Sequence, residues 1–194
     1  MTKAQALAAA KSKLALDDIT TFDTKIEDFF EAAVARLYPK VQKEIGAQTV
    51  AAAPDTYGEV TIDLSALTTP LTDVRLVEAY ESYYYPVDSI FRHGTSLRIQ
   101  QLNTAVSAFR IYGLEKFAVV SDDVPGLPGE FFLPIVWYMM SEFFDYLLGD
   151  KSRYNIYAQS SGARAVDNME SEATYYADKA DEYIEERAQL YGSQ

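Results

Sequence analysis

The chain lacks the residues on which several common chemistries depend. It has no cysteine and a single histidine, which excludes disulfide bonds, thiolate nucleophiles and cysteine-bound zinc. Positive charge is also scarce, with 17 Lys and Arg against 29 Asp and Glu, for a formal charge of −12. Because affinity for nucleic acid comes largely from cations that neutralise phosphates, this composition argues against a duplex-binding face.

Long apolar runs are missing as well. Lys11 and Lys13 interrupt the Ala-rich start, so we expect no signal peptide. The longest apolar run, 131–140, is half the ~20 residues that a bilayer requires. We therefore expect no membrane span.

Apolar and aromatic side chains are abundant. The sequence is 48% hydrophobic and 13% aromatic, with 15 tyrosines, which is enough for a packed core and excludes a disordered acidic tail. At 194 residues we expect one domain that carries an insertion.

The acidity is concentrated around the most apolar stretch of the chain, 121–150, which contains no Lys or Arg. We expect some of its carboxylates to border water while the apolar residues between them are buried. The acidic residues are Asp122, Asp123, Glu130, Glu142, Asp145 and Asp150.

Helical periodicity marks both ends of the chain. Thr2 is placed to cap a helix from about residue 3 to 14, and a stronger amphipathic helix is predicted over 22–44, which Pro39 should end or kink. An apolar core helix follows Pro128 and stops at Gly149-Asp150. A last helix, with a heptad-like seam that includes small Ala residues, begins after Lys151 and runs to about residue 191. It either continues through Ser160-Ser161-Gly162 or restarts past it.

The middle of the chain has the two-residue period of strands. Alternation of apolar and polar residues predicts strands near 58–64, 74–80, 96–100 and 108–112, separated by turn signals. The predicted fold class is α+β, mainly α. It is a helical bundle with long C-terminal helices and a small antiparallel β insertion.

We divide this single domain into three segments. Residues 1–50 supply N-terminal helices of the bundle, 51–120 form the β-rich insertion, and 121–194 hold the core helix and the long C-terminal helix.

The search for catalytic motifs is negative. There is no phosphate-binding GxxxxGK[ST] loop, no GxGxxG, no GxSxG nucleophile turn and no HExxH zinc helix. His93 lies in a turn without a recognisable carboxylate partner, and we interpret it as a turn residue or an interface hydrogen-bonder. We therefore predict no catalytic, cofactor-binding or metal-binding residues, and no enzyme.

Three further features have an ordinary structural interpretation. Asp122-Asp123 lacks the spacing of a calcium loop and is interpreted as a solvated turn. Glu142 and Asp145 suit the wet edge of the apolar helix better than an acid–base pair. Trp137, among methionines, is typical of core packing.

A cluster of tyrosines is harder to assign. Tyr80, Tyr83, Tyr84 and Tyr85, followed by Phe91, are difficult to bury completely in one small domain. Tyrosine is enriched at protein interfaces, so we favour an interface here and keep local packing as the alternative.

The order of these features resembles a known family. A strand ends in Phe109-Arg110-Ile111-Tyr112, a loop reads Ser121-Asp122-Asp123-Val124-Pro125-Gly126-Leu127-Pro128, and an apolar helix closes with Gly149-Asp150-Lys151. This succession is similar to the head-to-tail adaptor, or connector, proteins of tailed bacteriophages. The quoted motif spans about forty residues, and the order of the remaining elements agrees. Pro134, inside the expected helix, departs from the pattern.

The resemblance implies a structural role in the neck of a virion, for a protein made in the host cytoplasm. Identical subunits would form a ring, twelve-fold if it matches the portal, beneath the portal protein. The ring would continue the DNA channel, with DNA passing through and not bound specifically. It would offer a platform to a stopper, tail-tube or nozzle protein.

The resemblance also assigns surfaces, as hypotheses. The tyrosine-rich insertion would face the next tail component, and the C-terminal segment would reach toward the portal. The interface residues would be Tyr80, Tyr83, Tyr84, Tyr85, Phe91, Tyr183, Leu190 and Tyr191. The acidic residues lining the lumen would be Asp122, Asp123 and Glu130.

Two rival functions stay open. One is another neck or tail protein of the same particle, a stopper or tail-completion protein. The more distant is an intracellular enzyme or helical ligand-binding domain, with a site lined by Trp137, Met140, Glu142 and nearby Tyr residues. The lack of a nucleophile–base pair counts against this second rival.

Overall fold

The computed structural model describes residues 1–160 and 168–191, with side chains as far as Arg187. This part of the chain holds five helices and two antiparallel sheets, about 42% helix and 25% strand. The predicted α+β class is confirmed. The chain divides into two compact units, a helical unit of Met1–Val41 and Phe117–Gln194 and a β unit of Gln42–Lys116.

One apolar helix organises the helical unit. The helices described there are α1 (Lys3–Lys13), α2 (Asp23–Ala35), α3 (Phe132–Leu148), α4 (Lys151–Ser160) and α5 (Met169–Tyr191). α3 packs against all four others, and 11 of its 17 residues are buried. By length and composition Gly129–Leu148 could cross a membrane, and 67% of its apolar window is buried inside the structure.

The ends of these helices follow local chemistry. Thr2 caps α1 in a reciprocal capping box with Gln5, as its position predicts. α3 begins at Phe132 after a 3₁₀ turn, later than the expected start near Pro128. Pro134 therefore lies in the first turn, where its missing N–H has no intrahelical partner to lose.

The seam predicted on the last helix packs against α3. Ala173 and Ala180 of the predicted seam are buried, as is Ile184, which the seam did not include. The Phe144 and Tyr176 rings stack with centroids 5.9 Å apart. Small side chains on α5 let it approach the bulky face of α3 closely. The predicted last helix corresponds to α4 and α5, and residues 161–167, which it also spanned, lie outside the described part.

A polar network joins the segment after α2 to α3 and α5. The Tyr138 hydroxyl donates to Asp181 Oδ1 at 2.9 Å, and Lys40 Nζ donates to Asp181 Oδ1 at 2.9 Å and to Glu185 Oε1 at 2.7 Å. Burial, aided by the hydrogen bond to Asp181, raises the pKa of Tyr138. Burial alone would raise the pKa of Asp181, but the hydrogen bonds from Lys40 and Tyr138 outweigh it and lower that pKa.

The β unit contains two antiparallel sheets, where the sequence predicted one. One sheet has the order β1-β7-β3-β4 and the other β2-β6-β5. Their apolar faces share one core, in which Val77, Phe109 and Leu97 are fully buried. The strands are β1 (Gln42–Ala51), β2 (Val60–Asp63), β3 (Asp73–Tyr80), β4 (Tyr84–Pro86), β5 (Ile90–His93), β6 (Ser96–Ile99) and β7 (Ala108–Lys116).

The expected helix over 22–44 is too long. α2 ends at Ala35, ahead of Pro39, and the residues from Gln42 pair with β7 as a strand. The structure accordingly begins the β-rich segment at Gln42 and ends it at Lys116, where the sequence suggested 51 and 120. Because Gln42 pairs with Lys116, the chain enters and leaves the β unit at neighbouring positions.

Loss of the Tyr138 hydroxyl should be visible in the alkaline stability of the protein. Tyr138→Phe removes one hydrogen bond and should cost about 1 kcal/mol of unfolding free energy at pH 7. Because the folded pKa of Tyr138 is raised, its contribution is complete below the unfolded value of 10.0 and is lost as pH rises through the folded pKa. Wild type should therefore lose more stability than Tyr138→Phe between pH 9.5 and 11.5 in urea unfolding.

Tyr175→Phe is the matched control, since Tyr175 lies on α5 and is 52% exposed. Its alkaline profile should follow wild type. Parallel profiles for wild type and Tyr138→Phe would contradict the assigned role of the Tyr138 hydroxyl.

Gly113 should tolerate no side chain. A Cβ at Gly113 of β7 would lie 2.2 Å from the Asp73 carbonyl oxygen and 2.9 Å from Leu71 Cδ1, whereas a Cβ at Gly46 of β1 would meet nothing within 4 Å. We expect Gly113→Ala to lower the unfolding free energy by about 1–3 kcal/mol. Gly46→Ala should stay within about 0.5 kcal/mol of wild type in the same urea titration. Equal stabilities for the two variants would contradict the close approach of the Gly113 backbone to Asp73 and Leu71.

Candidate functional site

The four clustered tyrosines are divided between two faces of the β1-β7-β3-β4 sheet. Tyr80 and Tyr84 are cross-strand partners, while Tyr85 pairs with the buried Ala79 on the opposite face. Successive side chains of a strand alternate between faces, so consecutive residues cannot share one surface. The single patch suggested by the sequence is therefore two patches.

The outer patch combines aromatic rings with a guanidinium group. The Tyr80 and Tyr84 rings lie 4.9 Å apart, and the Arg110 guanidinium lies 3.6 Å from the Tyr84 ring centroid. Beside them the Tyr112 hydroxyl donates to Glu78 Oε2 at 2.9 Å. That hydrogen bond, followed by burial, raises the pKa of Tyr112. This combination of stacked Tyr and Arg is typical of protein-binding surfaces.

Tyr83 and Tyr85 form the inner pair, and only one of these two rings packs against the core of the β unit. Tyr85 packs partly against the β-unit core, and Tyr83 extends beyond it with 70% of its surface exposed. Their ring centroids are 6.1 Å apart in an edge-to-face arrangement. Burial, followed by the Glu81 carboxylate, raises the pKa of Tyr85. Tyr83 is thus supported by Tyr85 and presented to solvent.

Phe91 belongs to the other sheet. It is 58% exposed and pairs with Arg98, beside a shallow concavity of about 540 Å³ that His93 also lines. Arg98 forms an ion pair with Glu59. The structure does not bring Phe91 together with the outer tyrosines, which lie on a different sheet.

The acidic turn 121–124 is tied to the first residues of the chain. The Met1 ammonium lies 2.9 Å from Asp123 Oδ1, and the Lys3 amide donates to the Asp122 carbonyl at 2.8 Å. Hydrogen bonds from the Met1 ammonium and from the Val124 amide lower the pKa of Asp123. Ser121 and Asp122 adopt left-handed φ of 50° and 62°, which these contacts hold in place. We call this arrangement the N-terminal clasp.

The remaining acids of 121–150 all border water to some degree. Asp145 is exposed and Glu130 half-buried, whereas Glu142 pairs with Arg36 at 3.1 Å and Asp150 with Arg153 at 3.5 Å. The expectation that some of these carboxylates border water is confirmed, and the apolar residues between them are mostly buried, except that Leu133 and Leu148 are exposed. Two of them are matched by cations of the same chain.

The C-terminal candidates fall partly outside the described side chains. Tyr183 is half-buried, and the centroids of its ring and the Trp137 ring are 5.6 Å apart. The Arg187 guanidinium lies 4.2 Å from the centroid of the Tyr183 ring. The side chains of Leu190 and Tyr191 lie outside the described part. Their proposed interface role stays a prediction.

Residues suggested for a ligand-binding alternative are placed in the helical core. Trp137 is 8% exposed and Met140 is 1% exposed, and the Glu142 carboxylate is engaged by Arg36. Among residues 1–160 and 168–187, no group of acidic or histidine side chains has the geometry to hold a metal ion.

The most exposed aromatic side chain described was not among the predicted site residues. Tyr57 is 86% exposed in a turn that begins at Asp55. The signal was the short run Pro54-Asp55-Thr56-Tyr57-Gly58, which has turn chemistry with one large aromatic residue inside it. Exposed tyrosines thus lie on loops of the β unit as well as on its sheet.

No protein-family model matches this chain, and no curated protein matches it significantly.

The N-terminal clasp should be sensitive to acid. Because the folded pKa of Asp123 is lowered, its contribution is present above the unfolded value of 3.8 and is lost as pH falls through the folded pKa. Asp123→Asn should lower the melting temperature at pH 7, and its deficit relative to wild type should shrink toward zero below pH 3. Asp122→Asn is the control and should melt like wild type at both pH values, since the clasp uses only the backbone of Asp122. A deficit of Asp123→Asn that persists unchanged below pH 3 would contradict a charge-dependent clasp.

Proposed function

We propose that this protein is a structural subunit of a bacteriophage neck, an adaptor that forms a ring beneath the portal and docks tail components. The observation that carries the proposal is the order of elements. Two helices, an inserted β unit, an acidic turn, an apolar core helix and a long acidic helix follow one another as in the head-to-tail adaptors that the sequence resembles.

The two units suit two tasks in such a ring. Residues 1–41 and 117–194 hold 11 basic and 20 acidic side chains, and exposed carboxylates of α5 include Asp178, Glu182 and Glu186. A channel through which DNA slides must not hold phosphate tightly, so an acidic wall is favourable. In the proposal Asp122, Asp123 and Glu130 lie on this wall.

The subunits would pack side by side as helical bundles. The long helices α3 and α5 form the body of each bundle, and the segment from Tyr183 onward reaches toward the portal. The β unit would face the stopper, tail-tube or nozzle protein with its exposed aromatic side chains. Twelve subunits would match a twelve-fold portal.

A stopper or tail-completion protein is the alternative within the same particle. Both roles use an oligomeric ring with exposed aromatic docking surfaces, so the position in the particle separates them. An adaptor touches the portal directly, whereas a stopper touches the adaptor.

The decisive experiment is cryo-electron microscopy of particles made by the phage that encodes this chain. We expect the subunit as a ring in direct contact with the portal, and we expect its deletion to yield DNA-filled heads without tails. A ring separated from the portal by another protein would favour the alternative. Complete virions that lack the chain would contradict any neck function.

A further inference from the structure

Three loops meet at one end of the β unit. They are residues 52–59, 81–83 and 100–107, and we call them the distal tip. The Leu102 amide donates to the Gly58 carbonyl at 3.0 Å, and Asn103 Nδ2 donates to Glu81 Oε1 at 2.9 Å. These hydrogen bonds join the loops into a single surface.

The distal tip lies at the end of the sheet opposite to the chain connections. Ala51, Ala108 and Tyr80 are in register there, whereas Gln42 pairs with Lys116 at the other end. At about 3.3 Å per residue, the ten residues of β1 separate the two ends by roughly 30 Å. The distal tip is therefore the part of the β unit farthest from its points of entry and exit.

Hydrogen bonds fix the backbone of the loop that presents the exposed ring of Tyr57. Asp55 Oδ1 accepts hydrogen bonds from the amides of Tyr57 at 2.8 Å and Glu59 at 3.0 Å. Gly58 has a φ of +75°, and a Cβ there would lie 2.5 Å from the Leu102 carbonyl oxygen. A rigid loop that presents a large aromatic ring loses little entropy on binding, which is the property of an interface anchor.

The distal tip presents two exposed rings and no positive charge of its own. Tyr57 is 86% exposed and Tyr83 is 70% exposed. The three loops contain no Lys or Arg, whereas they carry the carboxylates of Asp55, Glu59 and Glu81. The adjacent cations are engaged, since Arg98 is paired with Glu59 and Arg110 stacks on Tyr84.

We propose that the distal tip docks a basic protein surface, with Tyr57 and Tyr83 as anchors that receive Arg or Lys side chains. Tyrosine faces attract cations, and the carboxylates of Asp55 and Glu81, which have no ion-pair partner among the described residues, add to the attraction. Nucleic acid would be repelled by the same charges. The distal tip of a second copy, which carries the same carboxylates and no Lys or Arg, would be repelled as well. Where the partner is the tail-side component of the neck, this inference rests on the proposed function.

A direct test uses the purified full-length protein and a capped tetra-arginine peptide as the probe. Titration followed by NMR should shift the Tyr57 and Tyr83 ring resonances most, and a tetra-glutamate peptide should shift neither. Tyr57→Ala/Tyr83→Ala should weaken the peptide affinity about tenfold. Unchanged affinity in this double variant would overturn the proposal.

Tyr175→Ala is the matched control, because Tyr175 is also exposed and lies on the acidic helix α5. Its substitution should leave peptide affinity unchanged. An equal loss for Tyr175→Ala would show that the peptide follows overall acidity, and this too would overturn the proposal.

A charge test uses Glu81. Glu81→Lys should weaken peptide binding more than Glu81→Gln, since only Lys adds repulsion, and added NaCl should reduce the difference between them. Indistinguishable affinities for the two variants at low salt would contradict a basic partner.

Particles then separate this inference from the proposed function. Heads made with Tyr57→Ala/Tyr83→Ala should retain the protein but carry about tenfold fewer tails. Normal tail attachment would overturn the role of the distal tip in the particle. Absence of the wild-type chain from heads would instead contradict the neck function, and the peptide titration would then decide alone whether the distal tip binds a basic surface.

Discussion

The burial of α3 is the constraint on which the helical unit depends. Apolar side chains surround this helix on nearly every side, and each large one that leaves water contributes about 1.5–3 kcal/mol. No single neighbour can cover such a helix. α1 and α2 from before the β unit and α4 and α5 from after it all pack against it.

This constraint also explains how a β unit can interrupt the chain. Segments on both sides of residues 42–116 must return to the same apolar helix, so the interruption has to begin and end at neighbouring points. Antiparallel pairing of Gln42 with Lys116 provides this, because the first and last strands of the β unit are hydrogen-bonded partners. The insertion can therefore have its own core without disturbing the one around α3.

Polar contacts then determine how the segment before the β unit is held. Tyr138 is buried on α3 with only its hydroxyl directed to a polar partner, and Asp181 of α5 accepts from both Tyr138 and Lys40. Arg36 packs 4.5 Å from the Tyr138 ring centroid and pairs with Glu142. Arg36 and Lys40, which follow α2, thus form ion pairs with carboxylates of α3 and α5. They do so in a chain that has only 17 Lys and Arg.

The sequence correctly predicted those helices and strands in which apolar residues recur with a regular spacing. Val60 and Ile62 alternate with polar residues and lie in β2, although Leu64, which continues the alternation, lies just past its end. The adjacent apolar pairs of 131–148 form the core helix. β1 was missed because its register shifts between Ile45 and Gln48, which interrupts the two-residue period, and because it follows an amphipathic helix closely.

The features of the candidate site that could not be predicted depend on contacts between residues far apart in the sequence. Nothing near Asp123 indicates that its partner is the Met1 ammonium, 122 positions earlier. Consecutive tyrosines looked like one patch, but strand alternation directs Tyr84 and Tyr85 to opposite faces. Tyr57 lies apart from the tyrosine cluster in the sequence. Hydrogen bonds from Leu102 to Gly58 and from Asn103 to Glu81 bring its loop beside the loop that carries Glu81.

The distribution of charge and aromatic residues gives the proposed function its physical basis. The helical unit holds nine of the twelve excess negative charges, and the β unit holds the exposed Tyr57 and Tyr83. Repelling DNA and binding a protein require opposite surface properties, since the first needs unneutralised carboxylates and the second needs rings that lose water readily. A chain that places these properties on two compact units can meet both requirements. Its β unit can then change to fit a new partner without altering the acidic helices.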